Sequence, residues 1–482
     1  MQTLPKRIHV TGICGVATSA LAIAFHKKGV RVSGSDKGFF PPVSTALEKA
    51  NVPFYAGWHP EKMISAEYGG APDLLIIGTS SGTQNPETLY AREHGIRILS
   101  DAEVRGEFFA KKTSIVCAGT WGKTSSTTLL AHIFTECGLD PSYVIGGLPS
   151  DMDAAYLGAS LVSVIEGDEY KSSPWDNRPK FAHMKTTDLL LSSVSWDHAD
   201  LYPTEASFLK VFEELVLSLP KDGLFVACTD HSGVKKIIKE TGRAATTYGK
   251  KDADYIYSDV VQTKNGLHFT ITHKENTYKI DCPLLGAFQA ENSVGCFALA
   301  CEYAKTCTVK NTLSPEAVAH AIGTFKGLKR RLEKRLDGET TIQGITVIDD
   351  IAHSGEKAAA VLSNIQAVYT GKIITIFEPN TGGRQMESIT KYDNAFASAD
   401  MVIIPRLTKL KIDTTKKQED RPIEGDALAA YISKTHSNAI HIDSDTQLVA
   451  TLIEKTKKGD VIAFLGSHGF RGMIEETIEK LK

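Results

Sequence analysis

Residues 117–127 read "CAGTWGKTSST", set between the apolar run "SIVCAG" and a helical pattern through "TSSTTLLAHIFTECG". Strand, glycine turn, lysine, hydroxyl and helix follow in the order that the phosphates of a nucleotide require. Backbone N–H groups at a helix N-terminus bind dense negative charge, provided small residues let the backbone come close. A lysine then reaches the terminal phosphates, and a Ser or Thr hydroxyl takes a place on Mg2+. The stretch supplies Gly119, Thr120, Gly122, Lys123, Thr124 and Ser125 for these tasks. The strict spelling GxxxxGK[ST] is broken, because Cys117 stands where its first glycine belongs.

Mg2+ takes oxygen ligands and keeps several waters, so one or two carboxylates near the phosphates suffice. In a parallel sheet such groups sit at the ends of neighbouring strands. "VIEGDEY" places Glu166, Asp168 and Glu169 just past one apolar strand, and "SWDHADLY" places Asp197, His198 and Asp200 past another. Two acidic clusters following a phosphate turn point to metal-assisted phosphate chemistry. Taken singly, each would read equally well as a helix cap or a solvated loop.

Strand-length apolar runs alternate with helical patterns along most of the chain, which predicts an α/β fold with parallel sheets covered on both faces. Three segments emerge. The first, 1–112, holds strands "RIHVTG", "VRVSGSD", "DLLIIG" and "IRILS", and ends in a polar stretch, "GEFFAKKTS". The second, 113–325, opens with the phosphate turn and closes with β-rich runs whose "NG" and "EN" turns predict hairpins, then the helix "QAENSVGCFALACEYA". The third, 326–482, begins near "FKGLKRRLEKR" and alternates again through "ITVIDDIA", "KIITIFEP", "MVIIPRL" and "VIAFLGS". At 482 residues, three domains match ordinary domain size.

A second glycine turn lies in "VTGICGVATSALA", with Asp36 some twenty residues on. It is not the dinucleotide fingerprint, since Gly12 and Gly15 are three apart and the middle glycine is missing. It suits a diphosphate or nucleotide that need not be NAD. Tight strand–helix packing would use the same two glycines. "GTSSGTQNPE" offers further polar groups, including Asn85, at another strand end of that segment.

Composition narrows the class. With 42% hydrophobic and 23% charged residues and a formal net charge of -3, nothing favours nucleic acid or an anionic membrane surface. No apolar run approaches the ~20 residues of a membrane span. Eight cysteines without CxxC spacing predict reduced thiols in a cytoplasmic protein rather than zinc or a disulfide framework.

The glycine turn, the variant phosphate loop, "EGDE", "DHAD", "FKGLKRR" and "DDIAH", in that order over essentially the whole chain, resemble the Mur ligase family of ATP-dependent amide-forming enzymes of peptidoglycan assembly. "EGDEYKSSPWDNRPKF", "SWDHADLY", "LGSHGFRGM" and "PPVSTALEK" look most like the branch that recycles cell-wall peptides. The branch that adds L-alanine to UDP-N-acetylmuramate is the alternative. The resemblance implies a three-domain architecture: a Rossmann-like UDP-sugar domain, a P-loop ATPase-like centre and a Rossmann-like C-terminal domain, with hinges near 112 and 326. It implies ATP and Mg2+, and UDP-N-acetylmuramate with an amino acid or peptide as substrates. By position, Gly12, Gly15, Thr18, Asp36, Ser80, Ser81 and Asn85 would hold the UDP-sugar. Asn292, Arg331, Asp350 and His353 would join the phosphate turn on ATP. Glu166, His198 and Thr124 would hold metal, and Lys123, Glu166, His198 and Arg331 would act in catalysis. Arg178 and Lys180 would place the peptide's carboxylates.

The chain departs from the family at several places. Family GTHGKT has Trp121 at its third position here. GxHNxxN reads with Phe288 and Gln289, DDYAHHP with Ile351 and Gly355, and the Asn pair before DH is Ser192–Ser193. Two other classes stay open from the residues alone: an NAD(P)-dependent dehydrogenase, disfavoured by the missing glycine, and a non-catalytic protein on the same fold. The amino substrate, the third peptide residue (diaminopimelate or lysine) and the oligomeric state are not encoded in any motif.

Overall fold

The computed structural model describes residues 3–78, 82–198, 200–306, 312–409 and 422–482. The chain divides into two compact units. The larger takes Met1–Val260, His268–Pro283 and Phe288–Gly327, and the smaller takes Val261–Leu267, Leu284–Ala287 and Leu328–Lys482.

The larger unit carries two principal sheets. The first orders its strands Phe54–Ala56, Arg31–Asp36, Arg7–Thr11, Leu74–Ile77 and Arg97–Ser100, and its four neighbouring pairs are parallel. Leu74–Ile77 is buried at all four positions, as expected when helices cover both faces. The chain leaves Arg7–Thr11 towards one edge and returns at Leu74–Ile77 on the other side. The ends of these two strands therefore flank a topological switch point, where open α/β sheets bind ligands. The stretch "GEFFAKKTS", read as polar, is helical in part, and its Phe108 and Phe109 pack edge-on against Phe25 at 5.4 and 5.7 Å.

The second sheet has ten strands. Its centre runs Phe225–Cys228, Asp188–Leu191, Thr113–Ala118, Val162–Gly167. All three contacts are parallel, and their registers are Leu189↔Phe225, Leu191↔Ala118 and Cys117↔Glu166. That register brings the carboxyl ends of four strands level with one another. Residues after each strand then face the same space, which is how one site gathers groups from distant sequence. The expected hairpin strands form one edge: Tyr255–Thr263, Gly266–His273 and Asn276–Cys282 are consecutive neighbours joined by two-residue turns.

The smaller unit has a six-stranded sheet in the order Glu333–Leu336, Thr346–Asp350, Val461–Gly466, Ile373–Glu378, Met401–Pro405, Ala439–Ile442. Its first strand pairs antiparallel with the second, and the other four neighbouring pairs are parallel. Two apolar clusters cover its faces, one including Ile348, Leu362 and Phe377, the other Ile376, Leu448 and Phe464. Among the described residues, no helix is long and apolar enough to cross a membrane.

Candidate functional site

The phosphate turn lies between the strand Thr113–Ala118 and the helix Lys123–Glu136. Cys117 is buried inside the strand, so the turn proper starts at Gly119. Gly119 and Gly122 have φ of 139° and 82°, where a side chain is strained. Space forbids one as well. A Cβ on Gly122 would lie 2.5 Å from Asn292 Oδ1, and one on Gly119 would run into Ser192 and Ser193.

Ser192 and Ser193, which replace the family's asparagines, clasp the turn. Trp121 N donates to Ser193 Oγ at 2.8 Å, Ser193 Oγ donates to Trp121 O at 3.1 Å, and Ser192 Oγ donates to the same carbonyl. Thr120 exchanges two 2.9 Å bonds with the Ser195 backbone. The loop is thus fixed by its own strand's neighbour before any ligand arrives.

The acidic clusters converge on this turn. Thr124 Oγ1 donates to Glu166 Oε1 at 2.8 Å, while Gly146 N donates to Glu166 Oε2 at 2.7 Å. Lys123 Nζ lies 2.9 Å from Glu169, and His198 Nε2 lies 3.3 Å from the same carboxylate, which is 1% exposed. Burial works against the Lys123 ammonium, but Glu169, Asp168 and Glu166 outweigh it and raise its pKa. The hydrogen bond to Glu169 likewise raises His198. Burial alone would raise Asp168, yet Lys180, 2.8 Å away, and Lys123 hold it well below the usual carboxylate range. The sequence offers Glu169 only as one of several candidate metal carboxylates, and the structure pairs it with two cationic side chains. It joins the lysine of one motif to the histidine of another.

Lys180 thus belongs to the acidic cluster, whereas Arg178 does not join it. Arg178 sits on the short hairpin formed by Lys171–Ser173 and Asp176–Pro179, exposed and paired with Asp176 at 2.7 Å.

On the other flank of the turn, Trp121 is 56% exposed and its ring lies 6.5 Å from that of His231. His231 Nε2 is 2.9 Å from Glu291, next to Asn292 on the helix Phe288–Thr306. Cys228, His231 and Glu291 place ligand-type atoms within 4.8 Å of one another. Burial raises the Cys228 thiol, which opposes the thiolate that a metal would take.

The first glycine turn is held by the residues expected there. Gly12 has φ of 81°, Thr18 Oγ1 donates to Gly12 O at 2.6 Å, and Cys14 N donates to Asp36 Oδ2 at 2.9 Å. Beneath it lies a fully buried carboxylate, Glu87. It accepts from Thr11 Oγ1 at 2.9 Å, Ser35 Oγ at 2.5 Å, Tyr55 Oη at 2.7 Å and His59 N at 3.0 Å, with His9 Nε2 at 3.5 Å. Burial alone would raise Glu87, but its bonds from His9, Ser35 and Tyr55 bring it from 4.5 down to about 2. Asn85 caps the helix Pro86–Glu93 by accepting from Glu87 N at 2.9 Å; its amide nitrogen is buried with no hydrogen-bond partner among the described residues. Ser80 and Ser81 lie outside the described residues.

In the smaller unit two adjacent arginines divide their work. Arg330 bonds to the carbonyls of Gly466, Ser467 and His468 and pairs with Asp349 at 3.3 Å. Arg331 is exposed. Asp350 accepts from Leu332 N at 2.7 Å and Ala352 N at 2.8 Å, and burial raises its pKa. His353 Nδ1 lies 2.7 Å from Ile351 O, and burial lowers its pKa. Gly355, which departs from the family pattern, has a local cause: a Cβ there would collide with the Lys391 backbone.

Three family models match the chain: "Mur ligase family, catalytic domain" over residues 7–113, "Mur ligase middle domain" over 117–300, and "Mur ligase, glutamate ligase domain" over 330–468. A UDP-N-acetylmuramate–L-alanine ligase of Rickettsia canadensis is 28% identical, covering 99% of this chain and 97% of its own. The UDP-N-acetylmuramate–L-alanyl-gamma-D-glutamyl-meso-2,6-diaminoheptandioate ligase of Escherichia coli K12 is also 28% identical, covering 98% of each. The crystal structure of a UDP-N-acetylmuramate–alanine ligase from Thermotoga maritima superposes with a TM-score of 0.78 at 21% identity, over 98% of both chains.

Proposed function

Because the chain belongs to the Mur ligase family, whose members are ATP-dependent, ADP-forming ligases of peptidoglycan precursors, we propose that it joins UDP-N-acetylmuramate to the tripeptide L-Ala-γ-D-Glu-meso-diaminopimelate. The observation that carries the chemistry is the convergence of Lys123, Thr124, Glu166, Glu169 and His198 at the aligned ends of parallel strands.

A carboxylate does not condense with an amine at neutral pH, because its leaving group would be oxide. Transfer of the γ-phosphoryl group from ATP gives an acyl phosphate and ADP. The amine then attacks the acyl carbon, and the tetrahedral intermediate expels phosphate to leave the amide. Catalysis of the first step is mainly positioning and charge neutralisation. Lys123 changes partner from Glu169 to the phosphates, and the N–H groups of 119–124 cradle them. The oxygen donors Thr124 Oγ1 and Glu166 fit Mg2+, with His198 as ligand for a second cation; bound there, the metal would neutralise phosphate charge and steady the acceptor carboxylate. Gly12, Gly15, Thr18, Asp36 and Asn85, at the switch point of the first sheet, hold the UDP-sugar in this reading. No nucleophilic side chain takes part. The reaction belongs in the cytoplasm, where ATP and UDP-sugars are found.

The tripeptide is favoured by the hairpin 171–179, whose exposed Arg178 would exchange Asp176 for an extra carboxylate of the peptide. L-alanine is the second reading, favoured by the name of the Rickettsia canadensis relative. The test is ATP-dependent phosphate release with UDP-N-acetylmuramate, comparing tripeptide with L-alanine and weighing the product by mass spectrometry. Release that depends on L-alanine alone would overturn the tripeptide assignment, and release with neither would overturn both.

A further inference from the structure

We propose that the indole of Trp121 is the stacking platform for the base of the bound nucleotide, so that the apex of the phosphate turn grips the base as well as the phosphates. This rests on the ATP-dependent reading above and names a binding determinant within it.

The two flanks of the turn differ in kind. The strand Val162–Gly167 lies on one side of Thr113–Ala118, and it delivers Glu166 and Glu169. On the other side, two strands away, Phe225–Cys228 leads to His231. Strands are spaced about 4.8 Å apart, so the strand Phe225–Cys228 lies about 10 Å from Thr113–Ala118. The γ-phosphate has to meet the carboxylate acceptor on the acidic, metal-binding flank. The base of an extended nucleotide is then directed to the flank bearing Trp121, His231, Glu291 and Asn292.

Trp121 is prepared for such a role. Its backbone N–H and carbonyl are both held by Ser193, so the residue's position is set. Its ring is nonetheless 56% exposed, with His231 its sole ring neighbour among the described residues. That imidazole is itself held by Glu291 at 2.9 Å. A large ring left in water beside a phosphate loop, on a fixed backbone and next to a fixed second ring, offers apolar area that a base can cover. Gly122 closes the geometry, because its missing side chain lets the turn sit against Asn292 Oδ1. Stacking tolerates any base, since every base has a π-face.

The test separates base from phosphate. Calorimetry with Mg2+ present would compare ATP and ADP with inorganic tripolyphosphate and pyrophosphate, on the full chain and on Trp121→Ala and Trp121→Phe. Trp121→Ala is expected to weaken ATP and ADP about tenfold and to change the inorganic ligands less than about twofold, with Trp121→Phe regaining most of the loss. Equal weakening of nucleotides and inorganic ligands would overturn the proposal and make Trp121 a shaper of the loop. Unchanged nucleotide affinity in Trp121→Ala would overturn it too. If the unmutated chain binds tripolyphosphate and no ATP, the ATP-dependent reading itself fails, a result distinct from either.

Discussion

The larger unit contains two glycine turns, each between a parallel strand and a helix, and they are built on opposite principles. At Gly12–Gly15 the polar groups satisfy one another within the fold: Thr18 closes on Gly12, Asp36 on Cys14, and Glu87 gathers three hydroxyls and an N–H below. At Gly119–Gly122 only the backbone is settled, through Ser192 and Ser193, while the charged side chains pair across motifs, Lys123 with Glu169 and Thr124 with Glu166. In the proposed reaction a phosphate would take Lys123 from Glu169, and a cation would be held by Thr124 and Glu166 together. The first turn is therefore a finished mould, and the second, in that reaction, is a set of charges that changes partners. Loss of a charge should cost stability at the first and turnover at the second.

Lys123→Ala gives the largest effect. ATP turnover should fall by about 10³-fold or more, since the main cation facing the transferred phosphoryl group is gone. UDP-sugar affinity should stay within a few-fold, because the first turn does not use it. Phosphate release and calorimetry with UDP-N-acetylmuramate measure the two; if both collapse together, the separation between the turns is wrong.

Glu87→Gln probes the opposite case. It removes a buried charge that several donors were built to meet, at a cost of about 2–3 kcal/mol of stability at pH 7. The pH dependence has a definite sign. Glu87 is lowered from 4.5 to about 2 on folding, so its contribution is present above the unfolded value and is lost as pH falls through the folded one. Denaturant unfolding between pH 5 and pH 2 should show that slope in the parent chain and a flatter one in the variant. An unchanged slope would remove Glu87 from the acid response.

These differences bear on what the sequence could and could not disclose. The alternation of apolar runs announced parallel sheets, and "GTWGKTS" announced a glycine turn between strand and helix despite Cys117, because both signals are local. The role of Glu169 depends on the Cys117↔Glu166 register between strands about fifty residues apart, and no local pattern encodes a register. The same holds for Ser192–Ser193, which read as a departure and prove to clasp the turn. Arg330 and Arg331 are neighbours of one type, and only the carbonyls of 466–468 decide which one is structural. Composition misled at "GEFFAKKTS", whose charges masked two core phenylalanines.

A smaller effect tests substrate choice at the second turn. Arg178 is exposed and, among the described residues, its ion pair is with Asp176, so replacing it should leave the fold intact. Arg178→Ala should raise KM for the tripeptide about tenfold, the loss of one charge-assisted contact, and leave KM for L-alanine nearly unchanged. Equal changes would take Arg178 out of substrate selection.

The smallest expected effect asks whether the first turn is as finished as its geometry suggests. Asn85 uses its side-chain oxygen to cap the helix Pro86–Glu93, and its amide nitrogen is buried without a partner among the described residues. Ser caps a helix about as well as Asn does, so Asn85→Ser keeps an uncharged cap while removing the amide donor. Stability should change by about 0.5 kcal/mol or less, whereas Asn85→Ala should cost about 1 kcal/mol. If the idle amide donates to the UDP-sugar, both variants should lose affinity by a few-fold, and Asn85→Ser should lose it without losing stability. If affinity follows stability across the two variants, Asn85 is a cap and nothing more. In that case the sugar nucleotide is held without this donor, and the mould at the first turn would be complete before its ligand arrives.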